Sequence, residues 1–187
     1  IVEVDTPDGV RSGSGVFEIR AVRNVAILPD ERASSSTLRG QAIPIDLSDG
    51  QTLFALLRPA NRQTEMQGPI TAALDPEYRG CSESFLASLE RLSGPAMTGR
   101  SAALPSESWP LLVTFRDPAA PTSVALPEAG TQIRAVRLVV TDEPVTTGIE
   151  RRLPWVSRLR GYLNGSKILR DQSLVNNLTA THFRKEL

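Results

Sequence analysis

At the start of the chain Val2 and Val4 alternate with Glu3 and Asp5, the period of a half-buried β-strand. Phe17 and Ile19 resume the pattern after the Pro7-Asp8-Gly9 break and predict its partner strand. The intervening "TPDGVRSGSG" is too long and glycine-rich for a tight turn, so a wide loop or a bulged hairpin is expected there. "NVAIL", from Asn24 to Leu28, reads as a continuation or a short third strand, and "PDERASSST" after it reads as a solvated loop.

Two apolar runs flank Ser48-Asp49-Gly50 in "QAIPIDLSDGQTLFALL", which predicts a hairpin. Pro44 has no N–H to give to a ladder, so its strand belongs on an edge or at a bulge. Phe85, Leu86, Leu89 and Leu92 recur at helical spacing between a leading serine and Gly94-Pro95, and predict the one helix of the chain near residues 82–92. "WPLLVTFRDP" predicts a short buried strand bounded by Pro110 and Pro118. In "TQIRAVRLVVTD" the set Arg134, Val136, Leu138 and Val140 is the expected core face. Asn164-Gly165 predicts a type I′ turn closing a last hairpin. The pattern therefore predicts a mainly β (α+β) single domain over residues 1–187, built of short antiparallel strands and hairpins, sandwich- or barrel-like, with one short helix.

Composition supports that reading, because 187 residues fit one domain and 14 prolines with 13 glycines favour turns over long helices. Twenty-one cations balance 21 anions, so no global field draws the chain to nucleic acid, and none is expected as a partner. A single cysteine, Cys81, excludes an internal disulfide and is expected to be a small buried hydrophobe. One histidine and one cysteine do not make a zinc site, so neither metal nor cofactor is expected. Asp8, Asp49 and Asp117 stand beside proline or glycine and are expected to cap local backbone.

His182 is the one side chain that could serve as an imidazole base, and Ser12 and Ser14 in "RSGSG" could supply a nucleophile. A serine hydrolase using His182 is accordingly an alternative function, although "RSGSG" lacks the strand-turn-helix setting of a nucleophile elbow. The stronger signal is charge segregation. Arg151, Arg152, Arg158, Arg160, Lys167 and Arg170 follow one another with no interposed acid, and Trp155 and Tyr162 lie among them. Such a stretch fits a protein partner or an anionic membrane surface; a solvated face balanced by distant acids is the competing reading.

"GQAIPIDLSDGQTLFALL", "ESWPLLVTFRDP", "VTDEPVTTGIERRLPWV" and "NNLTATHFR" together resemble an uncharacterised family of bacterial envelope proteins, membrane-anchored or exported. Its members carry a short apolar N-terminal segment followed by a "VETP-G-RSGSSV"-like opening. The resemblance runs from Ile1 to about Phe183 and departs from the family at Gly15, where a serine is expected. It implies a location on the periplasmic side of the cell envelope, tethered by a segment upstream of Ile1. It brings no activity, cofactor or catalytic residue. The leading expectation is a non-enzymatic envelope domain binding a partner protein or the membrane surface; an accessory subunit of a larger membrane complex is a further alternative.

Overall fold

Val2 and Val4 are fully buried, as their alternation requires, on a strand β1 (Val2–Thr6) that turns back at once into β2 (Gly9–Gly13). The computed structural model describes residues 1–23, 34–61, 66–168, 171 and 173–185. The first hairpin is tighter than the sequence predicts: Thr6 pairs with Gly9 across Pro7-Asp8, and Gly9 takes φ +108° to close the turn. Phe17 and Ile19 therefore do not pair with β1. Ile19 lies on β3 (Glu18–Arg23), with Phe17 just before it, and β3 pairs with β4 (Ser34–Gln41) in a different sheet. The "SSST" part of the expected loop is the first half of β4, while the rest of that loop and the expected "NVAIL" strand lie outside the described residues.

The second hairpin forms as expected from β5 (Ile43–Asp46) and β6 (Thr52–Pro59), with Pro44 on an edge strand. Asp49 caps the turn by accepting the Gln51 N–H at 2.9 Å. Two helices follow, α1 (Gln67–Leu74) and α2 (Ser82–Leu92). The second matches the expected helix. The first was not expected from the sequence; proline is tolerated in a first helical turn, and Met66, Ile70 and Leu74 recur every four residues. Cys81 corrects its own expectation, being exposed at the cap of α2, where Ser84 Oγ accepts its N–H at 3.3 Å.

The remaining strands are β7 (Ser101–Ala103), β8 (Pro110–Phe115), β9 (Val124–Ala125) and β10 (Gln132–Val139), before the short helix α3 (Leu174–Asn177) and β11 (Arg184–Lys185). Among the described residues all ladders are antiparallel, in three sheets of order β2-β1-β10-β7, β11-β4-β3 and β5-β6-β8-β9. The fold is thus mainly β and is not a closed barrel.

On β10, Val136 and Leu138 are buried as expected, but Arg134 is not on the core face. Val2 pairs with Val136 and Val4 with Ile133, so one extra residue on β10 shifts the side-chain parity. The shift turns Ile133 inward and leaves Arg134 outside, 3.2 Å from Asp5.

β6 is buried on both faces, and it divides the interior. Leu53, Ala55 and Leu57 join Val2, Val4 and Leu138 in one apolar cluster, capped by α1 and α2. Phe54 and Leu56 face the opposite way, toward Phe115 and the chain beyond Gly148, where Ile149, Leu153, Trp155 and Phe183 complete a second cluster. The long C-terminal segment, almost without regular structure, is therefore the cover of a sheet face.

Asp75, at the end of α1, is buried and would ionise less readily for that reason alone. Hydrogen bonds from Ser88, from Arg91 and from the Glu77 N–H outweigh burial and hold its carboxyl below the usual range. A carboxyl depressed on folding stabilises the protein above the unfolded value of about 3.9 and loses that contribution as pH falls through the lower folded value. Asp75→Asn lacks this term at every pH. Its urea midpoint is expected to fall less between pH 7 and pH 3 than that of the parent protein; an equal fall would place the acid sensitivity elsewhere.

Candidate functional site

The cationic segment owes its shape to its apolar residues. Ile149, Leu153, Trp155, Val156 and Leu163 all reach the second cluster, and Arg151, Arg152, Ser157, Arg158 and Arg160 between them are turned to solvent. Pro154 and successive tight turns keep the segment irregular, with Val156 N–H donating to the Leu153 carbonyl at 3.1 Å and Arg158 N–H to that of Trp155 at 2.9 Å.

The structure divides the residues that the sequence grouped. Trp155 is 8% exposed, packs against both Phe115 and Phe183, and donates its Nε1–H to the Pro118 carbonyl at 2.9 Å. Its indole is a core element and does not present a contact face. Arg152 is held by Asp46 in a two-pronged pair at 2.5 and 2.8 Å, with Thr52 Oγ1 at 3.0 Å from the same guanidinium. That pair lowers the Asp46 carboxyl, first through the Arg152 hydrogen bonds, and removes Arg152 from the free cations.

Arg151, Arg158, Arg160 and Lys167 remain. All are exposed, and none makes an ion pair with a carboxylate among the described residues. Arg160 reaches the Ser157 carbonyl only at 3.4 Å. Tyr162 is half-buried and bridges through its backbone to Thr179. Arg170 lies outside the described residues.

The Asn164-Gly165 turn exists in a different form from the one expected. Gly165 is left-handed at φ +78°, whereas among the described residues none other than glycine, Asn164 included, has positive φ. Gly165 N–H donates to the Tyr162 carbonyl at 2.8 Å and Tyr162 N–H to that of Ser166 at 2.9 Å. This is a three-residue turn with glycine in the last place, and no strands flank it among the described residues. Gly161 makes the closure possible, since a Cβ there would stand 2.4 Å from the Ser166 carbonyl oxygen. Sequence reasoning found the turn and missed what it presents. Ile168, just past it, is 73% exposed, and the adjacency of an apolar residue to Lys167 was the available signal.

At the foot of the segment a shallow cleft of about 360 Å³ is walled by Ser157, Arg160, Thr179, Thr181 and Arg184. Arg184 is already paired with Glu150. His182 sits beside this cleft with its Nδ1 accepting the Thr179 N–H at 3.1 Å, closing a capping box on the turn that leads into β11. That bond occupies the nitrogen lone pair facing Thr179. Ser12 and Ser14 are exposed on and after β2, whose glycine spacing serves packing. Gly13 crosses over β5 so closely that a Cβ would meet the Pro44 carbonyl oxygen at 2.4 Å.

A larger cleft of about 1310 Å³ continues the first apolar cluster between β3, β10, α1 and α2. Leu86 and Leu89 of α2 line it together with Phe17 and Ile19, which explains why those two leucines of the predicted helical face are only half-buried. Among the charged side chains reaching it, Glu18 is paired with Arg20 at 2.7 Å and lies 3.9 Å from Arg39. Among the described residues no cluster of histidine, cysteine and carboxylates is placed to hold a metal ion, and no helix is long and apolar enough to cross a membrane. No known protein family, curated protein or solved structure matches this chain.

Proposed function

We propose that this chain is a non-enzymatic domain of the bacterial cell envelope that docks on an anionic surface through Arg151, Arg158, Arg160 and Lys167. The observation that carries the reading is that these cations are exposed and without carboxylate partners among the described residues, on a segment fixed from below by Leu153, Trp155 and Leu163. Like charges held together on a rigid support repel unless solvated or matched, and a matching anionic surface relieves that repulsion. The envelope location is taken from the resemblance carried by "GQAIPIDLSDGQTLFALL", "ESWPLLVTFRDP", "VTDEPVTTGIERRLPWV" and "NNLTATHFR".

Each cation near an anionic surface contributes about 1 kcal/mol. The combined variant Arg158→Ser, Arg160→Ser, Lys167→Ser is therefore expected to bind a bacterial envelope fraction roughly a hundredfold more weakly at low salt. The parent protein is expected to be released as ionic strength rises and the Debye length shrinks to about 3 Å near 1 M. Salt-insensitive binding, or a triple variant that binds like the parent, would overturn the reading.

A further inference from the structure

We propose that the anionic surface is a lipid bilayer and that Ile168 is the side chain this domain inserts among its headgroups; the inference rests on the docking reading above. Ile168 is the most exposed large hydrophobic among the described residues, at 73%. Two of the exposed cations adjoin it. Lys167 precedes it, and Gly161 lies against Ser166 and Lys167, its Cβ position being 3.7 Å from the Lys167 Cα, which brings Arg160 across the turn.

The tip is held out by its own hydrogen bonds. Ser166 Oγ accepts the Ile168 N–H at 3.1 Å and donates to the Ile168 carbonyl at 3.0 Å. Asn164 Oδ1 accepts the Ser166 N–H at 2.8 Å, and the Asn164 amide donates to Asn176 Oδ1. Leu163 anchors the turn in the second cluster, its N–H donating to the Leu178 carbonyl at 2.9 Å. A preorganised tip loses little conformational freedom on insertion.

The chemistry favours lipid over protein. Protein interfaces bury an apolar centre depleted of lysine, whereas here lysine and arginine immediately adjoin one aliphatic side chain. A bilayer needs no shape complement. It accepts an isolated aliphatic group at the headgroup boundary while long cationic side chains stay with the phosphates.

The test is flotation of the full chain with vesicles of phosphatidylcholine alone and of phosphatidylcholine with a quarter phosphatidylglycerol. The parent protein is expected on the anionic vesicles and not on the zwitterionic ones. Ile168→Ser, which leaves every charge in place, is expected to lower partitioning about tenfold, and Ile168→Leu to restore it. Equal partitioning of Ile168→Ser and the parent would overturn the insertion of Ile168 and leave cationic docking standing. Binding to the envelope fraction without binding to anionic vesicles would overturn the lipid inference alone and point to an acidic protein. Binding to neither would overturn the docking reading as well.

Discussion

Trp155→Ala is expected to lower the unfolding free energy by about 3–5 kcal/mol, the usual result of emptying an aromatic site in a packed core. The indole centroid lies 5.6 Å from that of Phe115 and 5.3 Å from that of Phe183, and its N–H is satisfied by the Pro118 carbonyl. The effect should reach beyond stability. The same cluster fixes the segment carrying Arg158 and Arg160, so the alanine variant is expected to bind anionic surfaces more weakly with every cation still present. Trp155→Phe keeps a ring in the site and gives up the hydrogen bond, a loss of about 1 kcal/mol, and should restore binding. Urea titration alongside a binding assay checks both parts. An alanine variant as stable as the parent yet unable to bind would make Trp155 a contact residue after all.

Gly13→Ala should destabilise by about 1–3 kcal/mol through overpacking. An added Cβ would meet the Pro44 carbonyl oxygen at 2.4 Å, Ile45 Cγ1 at 2.8 Å and Ile43 Cγ2 at 2.9 Å, so β2 and β5 must separate to admit it. Ser12→Ala and Ser14→Ala, at exposed positions on either side, are expected to stay within about 0.5 kcal/mol of the parent protein. In "RSGSG", then, a glycine carries the constraint and the serines do not. The three urea midpoints decide the matter. A tolerated Gly13→Ala would mean that the seam between the two sheets can open without cost.

How far the fold could be read depended on how local its cause was. The β5–β6 hairpin was legible because Asp49-Gly50 and the two apolar runs lie within one short stretch, and α2 was legible because its leucine spacing and its Gly94-Pro95 stop are contiguous. The failures share a different origin. The parity of β10 switches at a bulge that exists only because β1 pairs beside it, so the strict alternation of Arg134 with Val136 misled. The first hairpin was misassigned because β2 carries little apolar pattern. Gly9, Ser12 and Gly13 give no alternation, and what places that strand is its backbone pairing and its close crossing over β5.

The candidate surface divides along the same line. That Arg151 to Lys167 is cationic, interrupted by Pro154 and turned at Asn164-Gly165 follows from covalent neighbours alone, because charge and turn propensity are carried by each residue and the next. Which of those cations stay free does not. Arg152 is neutralised by Asp46, 106 residues earlier in the chain, and Trp155 is drawn inward by Phe115 and Phe183. Periodicity marks an element as having an apolar side but cannot say what will cover it. β6 shows the consequence, since its uninterrupted apolar run required a second covering layer, and only the long-range path of the chain assigned that role to the residues after Gly148. Burial and ion pairing are properties of pairs of segments, and it was their meeting in the tertiary structure that turned the arginine-rich stretch into a core-bound support with a small set of exposed cations and one exposed isoleucine.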